Sequence, residues 1–199
     1  ALEQRRPARF GIGRGQVTNG VHNRRRPGDV IDPALGIWQI ADQQDRTLAI
    51  VLNYSCHPTC LTGENQLISA EYPGYAVQKV QAATGAITFF ITGAIGDIGP
   101  AARGWAVLEQ LGEDVASETL RVLPTIARQN WRKLAVRRQA IALPLQPLPT
   151  VAELDQEIQR WQGSAPTTGS ATLPFHPRIP GAMVAWAQQT LAQLQSGRA

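Results

Sequence analysis

The sequence predicts an α/β fold, a layered mixed sheet flanked by helices, and three observations carry that expectation. Residues 47–54 and 86–92 are short runs rich in Leu, Ile and Val that read as buried strands. Between them, residues 69–84 have the start and stop signals of a helix. Strands that alternate with helices argue for layers and for at least some parallel pairing.

Taken in order, the glycine-punctuated stretch Phe10-Gly11-Ile12-Gly13-Arg14 reads as an irregular strand. Residues 36–41 (Gly-Ile-Trp-Gln-Ile-Ala) alternate apolar and polar, the period of a half-buried strand. Residues 42–46 then read as a hairpin turn leading into the 47–54 strand. Ser69 is the expected N-cap of the first helix, with Pro73 in its first turn, where a missing N–H costs nothing. Tyr75, Val77 and Val80 are expected to pack that helix on the sheet, and Gly85 to stop it.

The 86–92 strand runs into a loop containing Gly93, Gly96, Gly99 and Pro100, followed by an amphipathic helix over residues 104–122 that ends near Pro124. Residues 134–143 alternate like a strand, and Pro144, Pro147 and Pro149 mark a boundary because none can donate to a ladder. Thr150 with Glu153 three residues on forms a capping box for a helix through Trp161. A Gly/Ser/Thr/Pro-rich loop at 163–172, expected to be mobile, precedes a last helix over residues 181–195. The expected division is a core segment at 1–143, and at 144–199 a proline-rich connection plus two helices of the same domain.

Composition narrows the function. With 199 residues, 43% apolar and 17% charged, the chain can bury a core, and no stretch nears the ~20 apolar residues of a membrane helix. It opens on Ala-Leu-Glu-Gln-Arg-Arg, without a Met or an apolar leader, which suits either a processed chain or an internal segment and leaves the compartment open. The net charge of +4 invites a nucleic-acid reading. The arginines are scattered, however, and the one run, Arg24-Arg25-Arg26, has no interleaved aromatics, so no nucleic-acid partner is expected.

Three segments can carry chemistry. Asn53-Tyr54-Ser55-Cys56-His57-Pro58 sits at the carboxyl end of a buried strand, where α/β sheets bind ligands. His57 there can present a nitrogen to a metal or substrate, or simply be a hydrogen-bonded structural histidine. Cys56 and Cys60 do not make a usual zinc spacing with it and read as small buried residues. Gly93-Ala94-Ile95-Gly96-Asp97-Ile98-Gly99-Pro100 follows a strand and could cradle an anion, but lacks the Gly-Lys-Ser/Thr end of a P-loop. Asp97 could act as a base, orient a neighbour or cap the turn. Asn23-Arg24-Arg25-Arg26-Pro27 offers a guanidinium fork suited to a carboxylate, phosphate or oxyanion, or is a solvated basic loop.

In order and spacing these segments resemble the catalytic domain of the neutral/alkaline, non-lysosomal ceramidase family, most of all its shorter bacterial members. The resemblance rests on Asn23-Arg24, on Asn53-Tyr54…His57-Pro58, on Ile68-Ser69-Ala70-Glu71…Gly74-Tyr75-Ala76, and on Gly96-Asp97-Ile98-Gly99-Pro100. It is firm over residues 10–105 and weaker beyond. It implies an internal fragment of a larger domain that hydrolyses an amide in a small-molecule or lipid substrate, with zinc as Lewis acid. By this resemblance His57 matches a zinc-binding histidine and Arg24 an arginine of the substrate site, and Arg24 and Asp97, the latter in the family's loop motif, are the expected catalytic residues.

Two departures qualify the resemblance. Gly99 stands where the family's loop carries Ser, so any hydrolysis lacks that side-chain nucleophile. The family's upstream His-x-His and downstream Glu and Tyr ligands have no counterpart, and His22 and His176 lie in other contexts. The chain by itself is therefore expected to hold zinc poorly, the other ligands coming from the rest of its parent domain. A catalytically inactive binding or scaffold module is the alternative.

Overall fold

The computed structural model describes residues 5–26, 28–130, 135–163 and 179–197. Its elements are β1 (Arg9–Gln16), β2 (Val21–Asn23), β3 (Ala34–Ala41), β4 (Thr47–Tyr54), α1 (Glu71–Thr84), β5 (Ile87–Thr92), β6 (Ile98–Pro100), α2 (Trp105–Val122), α3 (Val151–Gln162) and α4 (Ile179–Gln195). The chain forms two compact units, residues 1–136 and 137–199.

In the first unit, the main sheet has the order β1-β3-β4-β5. β1 pairs antiparallel with β3, and β3 with β4, while β4 and β5 run parallel. The parallel pair is what the βαβ connection through α1 requires, so the mixed α/β architecture follows from chain order. β1 is more regular than its glycines suggest. All eight of its residues pair with β3, from Arg9 opposite Ala41 to Gln16 opposite Ala34. Gly11 and Gly13 lie on its inner face, where a Cβ on Gly11 would come within 2.4 Å of Ile126 and one on Gly13 within 2.8 Å of Val122. Glycine here lets the chain after α2 lie directly on the strand.

The hairpin between β3 and β4 is built on Asp42. Its carboxylate accepts the N–H groups of Gln44 at 3.0 Å and Arg46 at 2.9 Å, and Asp45 adopts φ 63° in the turn. Asp and Asn favour such turns because their side chains imitate a backbone acceptor.

α1 and α2 cover one face of the sheet. Leu35, Ile37, Ile50, Leu52 and Tyr54 pack there with Leu108, Leu111 and Val115 of α2. On α1 the packing residues are Tyr72, Ala76 and Val80, not Tyr75 and Val77 as the sequence suggested. A spacing of four keeps these three on one helical face. Tyr75 turns instead to α2, where it fills the space left by Gly112.

The start of α1 also differs from expectation. Ala70 occupies the N-cap position without a side-chain cap, and Ser69 Oγ accepts the Glu71 N–H at 3.0 Å from one residue further out. Glu71 itself sits at φ 55°, in the left-handed region. Gly85 ends the helix in the left-handed conformation, as anticipated.

β5 is buried on one side only. Thr88 faces the core, whereas Ile87, Phe89 and Ile91 are exposed. A continuous apolar run suggested burial on both faces, but among the described residues of this unit α1 and α2 cover one face, and Ile87, Phe89 and Ile91 are exposed on the other.

In the second unit, Thr150 and Glu153 form the expected reciprocal capping box of α3, which packs on α4. Residues 135–143, the described part of the 134–143 run, form no strand. Val136, Ile141 and Leu143 are exposed, and alternation without a partner ladder does not make a sheet. Of the loop expected at 163–172, residues 164–172 lie outside the described residues. Among the described residues no helix is long and apolar enough to cross a membrane.

Candidate functional site

The site is organised by a small ribbon that no sequence pattern announces. β2 and β6 pair antiparallel, with Val21 opposite Pro100, His22 opposite Gly99 and Asn23 opposite Ile98. Three-residue strands have no readable period, and a Gly-Pro pair reads as loop, so this segment was expected to be irregular.

The ribbon gathers all three predicted site residues around positions 96–98. The Arg24 N–H donates to the Asp97 carbonyl at 2.6 Å, and the His57 N–H donates to the Ile98 carbonyl at 3.0 Å. The Arg24 guanidinium donates to the Gly96 carbonyl through Nη2 at 3.0 Å.

Asn23, buried at the end of β2, makes the bend that turns the arginine run. Its Oδ1 accepts the N–H groups of Arg25 and Arg26, and its Nδ2 donates to the Val30 carbonyl and to Asp97 Oδ2 at 2.9 Å. The Asp97 carboxylate is thus already engaged, and in this geometry it orients Asn23. The arginine run is not a free basic surface either, since Arg26 lies 3.7 Å from Asp29 and Arg24 is tied to Gly96.

His57 follows the carboxyl end of β4. Its Nε2 is buried and has no hydrogen-bond partner. Burial, followed by the nearby Arg24 and Arg103 guanidiniums, holds its pKa below the ordinary imidazole value, so the ring is neutral at pH 7. A neutral imidazole with an orphaned buried nitrogen fits the role of a metal ligand, because an unmade hydrogen bond there is costly unless something else takes the lone pair. His22 Nδ1, on β2, is a second buried nitrogen without a partner.

Among the described residues no group of three or more His, Cys, Asp or Glu is placed to hold a metal ion. Cys56 and Cys60 are both buried and free, and burial pushes each thiol up to about 12, so neither offers a thiolate. Among the described residues the fit to zinc is therefore that of a single candidate ligand, His57.

Two further residues shape the site and were not picked out as functional in the sequence. Arg103 hydrogen-bonds through Nη1 to the Thr59 carbonyl and hydroxyl, two positions after His57. It adds a second guanidinium near the imidazole, a charge pattern that suits an anion or a developing oxyanion. Only its place shortly after Pro100 could have signalled it. Glu71 accepts the N–H groups of Cys60 at 3.0 Å and Leu61 at 2.6 Å, clamping the loop after His57 to the start of α1. Beside this loop, Leu61, Glu64, Leu67, Gly104 and Trp105 line a groove of about 470 Å³.

Gly99 lies on β6 opposite His22. A Cβ built on it would meet only Arg24 Cδ, at 3.6 Å, an ordinary contact. The backbone at 99 thus admits a side chain, and that side chain would touch Arg24.

No protein-family model matches the chain, and no curated protein matches it significantly. Solved structures do. A ceramidase solved in complex with C2 aligns at a TM-score of 0.53 and 19% identity, covering 60% of this chain and 22% of that one. The neutral ceramidase of Pseudomonas aeruginosa aligns at 0.53 and 19%, covering 60% of this chain and 23% of its own. At that identity the likeness establishes a shared fold, and the chain spans less than a quarter of either protein.

Proposed function

We propose that this chain is part of the catalytic domain of a zinc-dependent amide hydrolase resembling neutral ceramidase, with Gly99 in place of the usual loop serine. The observation that carries this reading is the buried, unpartnered Nε2 of His57, beside Arg24 on a fold shared with neutral ceramidases. His57 would supply one zinc ligand, and the rest of the parent domain would supply the others. In this reading residues 1–143 form a core segment of that domain and 144–199 its proline-rich connection and two helices.

Bound zinc would polarise the amide carbonyl as a Lewis acid. The chain's own residues orient and balance charge. Arg24, fixed by Gly96, keeps Nη1 for the substrate oxygen, and Arg103 adds positive charge on the same side. Asp97 holds Asn23, and so keeps the arginine bend in place. The groove beside Trp105, where Leu61 and Leu67 stand with Thr62, Glu64, Asn65 and Gln66, would take a part of a small-molecule or lipid amide that is both polar and apolar. Nucleic acid has no part in this reading, because two of the three consecutive arginines are engaged within the chain.

The experiment is an amide hydrolysis assay on the longer polypeptide, with a series of N-acyl substrates and a chelator control. Hydrolysis abolished by chelator and restored by zinc is the expected outcome. A folded, zinc-loaded polypeptide that hydrolyses none of them would favour the alternative, an inactive binding module, to which the missing hydroxyl at position 99 already points.

A further inference from the structure

Arg24 and Arg103 both bring a positive charge to the imidazole of His57, and they differ in what each has left to offer. Arg24 spends Nε and Nη2 on the Gly96 carbonyl, at 3.3 and 3.0 Å, and keeps Nη1. Arg103 is used the other way round. Its Nη1 donates to the Thr59 carbonyl and, at 3.1 Å, to the Thr59 hydroxyl, which leaves the edge formed by Nε and Nη2 open.

That edge is held in place. The Thr59 N–H donates to the His57 carbonyl at 2.9 Å, and the Gly104 N–H donates to the Cys60 carbonyl at 2.8 Å. Arg103 is thereby tied to the 57–60 loop through its own side chain and through the next residue. Its acceptors are a carbonyl and a hydroxyl, so its charge is anchored but not cancelled. Among the described residues no carboxylate pairs with Arg24 or Arg103. The carboxylates of the neighbouring segments are used elsewhere, Asp97 by Asn23 and Glu71 by the N–H groups of Cys60 and Leu61.

We propose, resting on the amide hydrolase reading above, that the substrate is an N-acyl amino acid whose carboxylate is received by the open edge of Arg103. Two parallel N–H groups on one planar edge match the two oxygens of a carboxylate. Arg24, with one nitrogen left, matches the single oxygen of the scissile carbonyl. A neutral amide would use Arg24 alone and leave the Arg103 edge without a partner. The groove of mixed polarity begins at Gly104, the residue after Arg103, and would take the acyl part between Leu61, Leu67 and Trp105. Hydrolysis adds one water across the amide C–N bond. The acyl carbon gains its oxygen, the nitrogen leaves as the amine of a free amino acid, and no other reactant is needed.

The test compares N-octanoylglycine with N-octanoylglycinamide, its neutral counterpart, on the zinc-loaded longer polypeptide. The acid should have a kcat/KM at least about tenfold higher, the scale of one charge-assisted hydrogen bond. Arg103→Gln should bring the two substrates within about threefold of each other, and Arg103→Lys, a point charge without the fork, should restore part of the preference. Equal rates for acid and amide in the wild type would overturn the proposal and leave the hydrolase reading standing. That is also the result if a carboxylate from elsewhere in the parent domain already occupies the edge. A preference that survives Arg103→Gln would overturn it too. If neither compound is hydrolysed, the hydrolase reading fails, and calorimetric titration of both compounds into the polypeptide decides this inference separately. Tighter binding of the acid, lost in Arg103→Gln, upholds the carboxylate site, and equal binding removes it.

Discussion

Gly99→Ser is expected to leave the fold unchanged and to raise amide hydrolysis by the longer polypeptide about a hundredfold or more, the scale of one well-placed proton-handling or nucleophilic group. The geometry favours both parts. Gly99 does not use a left-handed backbone, and a Cβ there meets only Arg24 Cδ at 3.6 Å. Gly99 is buried, so any stability cost is set by whether the new hydroxyl finds a partner, about 1–3 kcal/mol if it does not. The new hydroxyl would stand beside the guanidinium and opposite His22, on the ribbon to which His57 is hydrogen-bonded. Kinetics of wild type and variant, with Gly99→Ala as a control for bulk, provide the measurement. Equal rates for the serine and alanine variants would detach position 99 from the chemistry.

The second large effect is expected at Glu71. Its carboxylate is the acceptor for two consecutive loop N–H groups, those of Cys60 and Leu61, and charge-assisted bonds of this kind contribute about 1.5–3 kcal/mol each. Glu71→Ala, which loses both, should destabilise the chain by about 3–6 kcal/mol, and Glu71→Gln, which retains one acceptor oxygen, by about half as much. Glu71→Gly separates the two roles of this residue. It loses the same bonds but relieves a left-handed backbone that costs a side chain roughly 1–2 kcal/mol, so it should be milder than alanine. Urea unfolding gives the stabilities, and hydrogen exchange at the Cys60 and Leu61 amides shows whether the loss is local. Unchanged exchange at those amides in Glu71→Ala would remove the clamp from the account.

Much of the fold was legible because its signals are local. The alternation in β3, the Asp42 turn, the glycine that stops α1 and the Thr150–Glu153 box each act within a few residues of chain. What was hidden depends on partners far away in sequence. β2 and β6 lie some 75 residues apart and carry no period, so their ribbon exists only through pairing. The run 86–92 looked buried on both sides because an apolar sequence does not say how many layers surround it. Residues 134–143 alternate as a strand does, yet their described part has no ladder to join. For the site, the positions of His57, Arg24 and Asp97 around 96–98 follow the segments singled out in the sequence. Arg103 and the Glu71 clamp were missed as functional residues because their roles appear only once the loop after His57 is folded against the starts of α1 and α2.

The most direct test of the account is the zinc content of the longer polypeptide, measured by elemental analysis with and without His57→Ala. One tightly bound zinc per polypeptide is expected, lost in the variant while the fold persists, with less than stoichiometric zinc on the 199-residue chain by itself. A longer polypeptide that binds no zinc, or that keeps it equally well without His57, would rule out His57 as a zinc ligand.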